Sequence, residues 1–339
     1  MLQSLNTNVL PLPDGQTLRA TRSDDRVTVA LESQPLMQFR LSTTELGLAV
    51  SVLEYDASDQ RQAVWAACYW LFANHPECSK LVWEGLEAAP ELLRSGLVAP
   101  SSAADDTLQS SRTQFWQAAG PWVRTESSAG YPQVIVMNNG VRFPQRPPKP
   151  IGEVYRRYDA RLGSWISLRT LDVDADLERF NRWQNMPRVE EFWEEGGSLE
   201  EHRTHLQALA ADPHCLQLIG CFDDEPFGFF DTYWAREDRI GPYYESDHYD
   251  RGIHMLVGED HHRGPHKVAS WLPALVHYLF LDEPRTRTIV SEPRSDNDRM
   301  INHLQRVGFH RQKDFDFPHK RAAMMALTRE CFFDRCTIC

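Results

Sequence analysis

Residues 251–282, RGIHMLVGEDHHRGPHKVASWLPALVHYLFLD, narrow the choice of fold more than any other stretch of this chain. An apolar strand, RGIHMLV, runs into a polar turn and then into a long helix. Pro265 stands in the first helical turn, where a missing N–H costs nothing. The turn crowds His261, His262 and His266 together with Glu259, Asp260, Arg263 and Lys267. Three uses are open to it: a metal site, a phosphate cradle or a solvated turn. A zinc site of the helical kind needs histidines on one helix face, and Gly264-Pro265 separates His262 from His266. A helix start offers unpaired N–H groups and the positive end of the macrodipole, which suit a phosphate. The phosphate reading is therefore preferred, with Arg263, Gly264, His266 and Lys267 as its contacts.

The flanking sequence sets this unit in a longer succession. WISLRTL reads as a strand and LDVDADLERFNRWQN as a helix ending before Met186-Pro187. SLEEHRTHLQALAAD reads as a helix with a Ser198/Glu201 capping box. HCLQLIGCFDDEPFGFFDTYWA reads as two strands about an acidic turn. TRTIVSEPR reads as a strand. SDNDRMINHLQRVG reads as a helix capped by Ser295 or Asp296 and ended by Gly308. FHRQKDFDFPHK and RAAMMALTREC close as strands. The order is β-α-α-β-β-β-α-β-α-β-β.

Upstream, RVTVALES and PLMQFRLS alternate as strands. Residues 57–78 read as a helix, and KLVWEGLEAAPELLRSG continues in helical style. YPQVIVMNNG reads as a strand ending in an Asn-Gly turn. PQRPPKP, at 144–150, reads as a semi-rigid linker, because proline continues neither helix nor central strand. These signals predict an N-terminal α/β domain over 1–143, a linker over 144–151 and a second domain over 152–335. No internal repeat is evident.

With 339 residues, 42% hydrophobic and 25% charged, the chain has the composition of a globular protein. Ten Trp point to large buried aromatic surfaces. A formal net charge of −12 argues against nucleic-acid and anionic-membrane partners. No apolar run reaches a membrane-spanning length of about 18 residues, and the N-terminus carries no secretion pattern. Seven Cys, with a lone terminal C-x-x-C at Cys336 and Cys339, fit a reducing, cytoplasmic setting. Cys215 and Cys221 fall in a strand, where buried, inert thiols are expected.

Six blocks carry a family resemblance: NMPRVEEFW (185–193), GFFDTYWAREDRIGPYY (228–244), DRGIHMLVGEDHHRG (250–264), HYLFLDEPRT (277–286), SEPRSDN (291–297) and FDFPHKRAA (315–323). Together they resemble the GCN5-related N-acetyltransferases, in the branch that acylates hydroxylysine and hydroxyornithine for hydroxamate siderophores. The resemblance implies an α+β fold over the C-terminal half, with a mixed, mostly antiparallel sheet flanked by helices. It implies acetyl-CoA as co-substrate, no metal, and a small hydroxylated amino acid as acceptor, with a homodimer possible for the assembly. The usual Arg/Gln-x-x-Gly-x-Gly/Ala pattern lacks its second small residue here. The usual thiolate-protonating Tyr is replaced by Leu304.

By that resemblance His254 is a mild base and Asp296 its downstream partner, with Glu292 as rival. Leu256 and Val257 would offer backbone groups to pantetheine, and Asn297 would bond the pantetheine arm. Trp234, Glu237, Asp238, Tyr243 and Tyr244 would line the acceptor pocket, with Tyr243 or Tyr244 an open choice for thiolate protonation. Two other functions stay open from the residues alone: transfer of succinyl or a longer acyl group, and a non-catalytic acyl-CoA-binding module.

Overall fold

A computed structural model describes residues 8–44, 47–87, 89–102, 105–118, 120–335 and 338. The C-x-x-C cysteines Cys336 and Cys339 lie outside the described residues. The chain divides into two compact units, 1–122 with 157–164 and 333–339, and 123–156 with 165–332.

The first unit holds β1 (Val9–Pro11), β2 (Thr17–Ser23), β3 (Arg26–Leu31), β4 (Gln34–Thr44), β5 (Gly47–Tyr55), β6 (Lys80–Glu84), β7 (Ala99–Ser102) and β8 (Asp105–Ser111). They form one sheet in the order β1-β2-β3-β4-β5-β6-β8-β7, antiparallel except for the parallel pair β5–β6. Helix α1 (Gln60–Asn74) makes the crossover between that pair, with the Asp59 side chain accepting from Gln62 N–H at its start. It is apolar on all sides and buried from Val64 to Asn74 except at Trp65. Phe115, Trp116 and Trp122 gather against its Tyr69, Trp116 and Trp122 with ring centroids 4.9 Å apart. KLVWEGLEAAPELLRSG, read as helical, is strand β6 followed by the short helix α2 (Pro90–Arg94). Parallel pairing with β5 overrides the local helix formers. Helix α3 (Arg112–Gln117) follows β8.

The second unit opens with a hairpin of β9 (Ile135–Asn138) and β10 (Val141–Pro144), joined at Asn139-Gly140, both with positive φ. The second eight-stranded sheet is β11 (Glu153–Asp159), β12 (Ser164–Thr170), β13 (Cys215–Phe222), β14 (Glu225–Trp234), β15 (Arg251–Val257), β16 (Thr288–Ser291), β17 (His310–Asp316) and β18 (Arg321–Thr328). The order is β11-β12-β13-β14-β15-β16-β18-β17, and β15–β16 is its parallel pair. Helices α4 (Val173–Gln184), α5 (Pro187–Trp193) and α6 (Leu199–Ala211) lie between β12 and β13. Helix α7 (Pro265–Asp282) crosses between β15 and β16, and α8 (Asp298–Val307) precedes β17. Ser198 and Glu201 form the expected capping box of α6. Asn297, not Ser295 or Asp296, caps α8, accepting from Met300 N–H at 3.1 Å.

The two sheets share one strand order, one parallel pair and one helical crossover. The repeat missing from the residue pattern is present in the topology. The units differ between their second and third strands: a tight turn with Asp24 at positive φ in the first, α4–α6 in the second.

The proline-rich stretch is not a linker. It belongs to the second unit, where Arg146 pairs with both oxygens of Glu237 at 2.6 Å and lies 4.2 Å over the Trp234 ring. Lys149 Nζ donates to the carbonyls of Leu209 at 2.6 Å and Ala210 at 3.1 Å. Proline leaves these two side chains on an extended backbone that docks instead of swinging. Among the described residues no helix is long and apolar enough to cross a membrane.

Candidate active site

The site forms where β15 and β16 part. They pair only at Arg251↔Ile289 and Gly252↔Val290. In the first unit the corresponding strands stay paired from Leu48↔Leu81 to Ser51↔Glu84. An early opening leaves the next inner residues of β15, and the residue after β16, free of ladder partners across the gap. His254 and Glu292 occupy those places.

Sheet register supplies the rest. Gln217 on β13 faces Asp231 on β14, which faces His254 on β15. Side chains at matched positions of neighbouring strands project to one face. Gln217 Nε2 donates to Asp231 Oδ1 at 2.9 Å, and His254 Nδ1 lies 3.5 Å from Asp231 Oδ2. His254 Nε2 is 2.6 Å from Glu292 Oε1. Tyr233, two residues past Asp231 on the same face, donates its hydroxyl to Glu292 Oε2 at 2.7 Å. Its ring lies 4.9 Å from the imidazole. Gly252 stands opposite Tyr233, and a Cβ there would come within 1.9 Å of the ring. Glycine is therefore what lets the phenol lie across β15 to reach Glu292.

Electrostatics follow from that geometry. Burial alone would lower the pKa of His254, but the carboxylates of Glu292 and Asp231 outweigh it and push it up to about 10. Burial would raise Glu292, which is wholly enclosed; the imidazolium and the Tyr233 hydroxyl bring it down to about 2. At neutral pH the array is an imidazolium between two carboxylates. This corrects the expectation of a mild base near the ordinary histidine pKa. Tyr233 is pushed well above its usual range by burial and by Glu292.

Arg188, on α5, closes the far end of β15. It donates to the carbonyls of Val257, at 2.7 Å, and Gly258. Of the Val257 backbone groups expected to meet pantetheine, the carbonyl is thus already engaged. The neighbouring Leu256 is buried, its carbonyl 2.7 Å from where a Cβ on Gly228 would sit. Beyond it, Gly264 takes φ +125 and starts α7 without a side-chain cap. Lys267 and Val268 N–H turn back to the Gly264 carbonyl. Gly264 and His266 N–H have no backbone acceptor among the described residues. Arg263 pairs with Asp260 at 3.2 Å, and Lys267 Nζ lies 4.2 Å over Phe222. The other two histidines of the turn converge on Glu225, His261 at 2.9 Å and His262 at 3.0 Å.

Several expected residues stand elsewhere. Asp296 does not meet His254; it is exposed and forms a double bond-pair with Arg294 at 2.7 and 3.0 Å. The turn after β16 aims Glu292 inward and leaves Asp296 outside. The side-chain oxygen of Asn297 is committed to capping α8. Trp234 is buried between the guanidinium groups of Arg146 and Arg251, at 4.2 and 4.1 Å, and Glu237 is bound to Arg146. Asp238 pairs with His214 at 3.2 Å. Tyr244 donates to Asp250 at 3.1 Å, and burial together with that carboxylate pushes its phenol far up, removing it as a thiolate acid. Tyr243 packs on Phe315 and Phe317 at 4.6 and 5.0 Å. Of the expected acceptor residues, Trp234, Glu237, Asp238 and Tyr244 serve the packing of the domain. Cys215 and Cys221 are buried, as expected, and burial raises the Cys221 thiol to about 11.

Asp231, Tyr233, Gln217, Arg239 and Lys320 escaped the reading of the sequence. The i, i+2 spacing of Asp231 and Tyr233 in GFFDTYW was the available signal, since such residues share a strand face.

Comparison with known proteins accords with this architecture. An acetyltransferase (GNAT) domain model matches residues 172–317. An N(6)-hydroxylysine O-acetyltransferase of Escherichia coli is 48% identical over 66% of this chain and 70% of its own. A putative lysine N-acyltransferase of Schizosaccharomyces pombe is 39% identical over 83% of both chains. A solved structure of an uncharacterized protein from Bacillus halodurans superposes with a TM-score of 0.53. It shares 28% identity and covers 55% of this chain and 95% of its own. The fold and the parted strands define an acyltransferase. The chain belongs to the GNAT acetyltransferase family, alongside the hydroxylysine and hydroxyornithine acyltransferases.

Proposed function

We propose that this enzyme transfers the acetyl group of acetyl-CoA to the side-chain nitrogen of an N-hydroxylated diamino acid, N6-hydroxylysine or N5-hydroxyornithine, in hydroxamate siderophore synthesis. The carrying observation is the Asp231–His254–Glu292 array at the opening between β15 and β16. Relatives named as N(6)-hydroxylysine O-acetyltransferase and hydroxyornithine transacylase support the acceptor.

The pyrophosphate of CoA fits Arg263, Lys267 and the Gly264 and His266 N–H groups. Acetyl-CoA supplies an activated thioester carbonyl. A hydroxylamine titrates near neutrality, so much of it is already a free nucleophile at pH 7. The chain must position that nitrogen and take one proton from it as the C–N bond forms. With the imidazole protonated, Asp231, His254 and Glu292 together carry one net negative charge, so they can accept that proton and pass it to water. The thiol of CoA resembles an ordinary thiol of pKa about 8.5, so it leaves as thiolate and is protonated by solvent. Leu304 in place of a tyrosine acid is consistent with that route.

The test is thiol release from acetyl-CoA with N6-hydroxylysine, N5-hydroxyornithine, lysine and ornithine in parallel, followed by ferric-ion colour of the products. Turnover with a hydroxylated amine and a coloured ferric hydroxamate is expected. Turnover without colour would move the acyl group to oxygen, as the Escherichia coli relative's name has it. Silence with all four acceptors sinks the proposal.

A further inference from the structure

Beside the His254–Glu292 pair lies a group of cations that the chemistry above does not use. Arg239 reaches Glu292 at 3.7 Å yet keeps half of its side chain in solvent. Lys320 is half-buried, and among the described residues no carboxylate lies within ion-pair distance of its ammonium. Burial lowers its pKa, and the nearby charge of Glu292 opposes that. Arg239 and Lys320 both rest on the Phe317 ring, 5.5 and 5.8 Å from its centroid, and His319 stacks on the same ring at 5.4 Å. A half-buried ammonium that touches no carboxylate, with Glu292 acting on it only from a distance, is stabilised when an anion arrives. Glu195, in the α5–α6 loop, accepts from Gln184 Nε2 at 3.2 Å and lies within electrostatic reach of Arg239, Lys320 and His254.

We propose that Arg239 and Lys320 form a carboxylate subsite that holds the α-carboxylate of the acceptor, with Glu195 facing its α-ammonium, so that the enzyme selects amino acids over the corresponding decarboxylated diamines. This rests on the acceptor reading above. Two cations converge on a carboxylate with charge-assisted bonds, and a guanidinium adds a planar fork. The head group is anchored at Phe317 while the side chain runs toward His254. A diamine lacking the carboxylate would leave Lys320 desolvated and unpaired.

The test compares N6-hydroxylysine with N-hydroxycadaverine, the same chain without its carboxylate. Thiol release and calorimetric binding are measured on the whole protein. Wild type is expected to favour N6-hydroxylysine by at least about 100-fold in kcat/KM, a factor within reach of a buried polar contact left unmade. In Arg239→Met and Lys320→Met that ratio is expected to fall at least tenfold, chiefly through KM for N6-hydroxylysine, with Arg239→Lys retaining part of it. A wild type indifferent to the carboxylate, or variants in which the ratio does not move, overturns the subsite. If no hydroxylamine turns over, the acceptor reading fails; N6-hydroxylysine binding that weakens in both variants then still upholds the subsite, and absence of binding removes it.

Discussion

Replacing Glu292 by Gln keeps its shape and removes its charge, so it measures what the ion pair with His254 contributes. Glu292 is fully enclosed, and its carboxylate is held from an ordinary value of 4.5 down to about 2. Each tenfold change in proton affinity is about 1.4 kcal/mol, so the pair, counted once, stabilises the fold by about 3 kcal/mol where both partners are charged. Linkage fixes where this is felt. The lowered Glu292 contributes above pH 4.5 and loses its contribution as pH falls toward 2. The raised His254 contributes fully below 6.5, and that contribution is lost as pH rises toward 10. The stability gap between wild type and Glu292→Gln should therefore be widest from about pH 4.5 to 6.5 and shrink steadily toward pH 10. Urea titrations at pH 5.5, 7.5 and 9.5, fitted with a common slope, read this directly. A gap that stays constant from pH 5.5 to 9.5 would refute the ion pair. Should the variant not fold, nuclear magnetic resonance of His254 in wild type decides the same question: the ring is expected to stay protonated through pH 8.

Gly252→Ala drives a methyl into the Tyr233 ring; a loss of about 1–3 kcal/mol in chemical unfolding and a fall of at least tenfold in kcat are expected. Tyr233→Phe removes one of the two donors to a buried carboxylate and should cost about 1–3 kcal/mol in the same measurement. Asp296→Ala breaks only an exposed pair with Arg294, so kcat/KM should stay within about twofold; a fall of a hundredfold would return Asp296 to the catalytic group. Arg188→Met frees the carbonyls of Val257 and Gly258 and should raise KM for acetyl-CoA more than KM for the acceptor, read from initial rates with each substrate varied in turn.

The strand–turn–helix at 251–282 was legible because its signals are local: an apolar strand, a glycine at the turn and a proline at the helix start. The Ser198–Glu201 box was legible for the same reason. What stayed hidden depends on pairing over distance. Strand β6 is made a strand by β5, some thirty residues earlier, and its own residues favour helix. Asp231 opposes His254 only because the β14–β15 register places it there, and a slip of one residue would turn it to the other face. Glu292 and Asp296 are both acids just downstream of β16, and nothing in SEPRSDN says which faces inward. The cation pair joins Arg239 to Lys320 across eighty positions. The repeat between the two sheets is visible only as strand order, because pairing pattern can persist while the residues that realise it differ.

The charge state of the array also bears on which amines it can use. An imidazolium carries a proton on each ring nitrogen, here with Nε2 bonded to Glu292 and Nδ1 3.5 Å from Asp231, so it has no lone pair to offer an ammonium. Lysine's side-chain ammonium, with a pKa of about 10.4, would need a strong base to become nucleophilic at pH 7. Glu292, held far below the usual carboxylate range by the imidazolium, cannot serve, because transfer from such an ammonium to it is strongly uphill. A hydroxylamine arrives already neutral and sheds its proton only as the C–N bond forms and its acidity rises. The array therefore discriminates by what it lacks. Preference for hydroxylated amines comes from the absence of a competent ground-state base, with no need for a pocket that recognises the added oxygen. Lysine should accordingly gain as a substrate with rising pH, its kcat/KM climbing about tenfold per pH unit between pH 7 and 9 while that of N6-hydroxylysine stays nearly level. Parallel profiles for the two amines would show instead that the enzyme reads the hydroxyl itself.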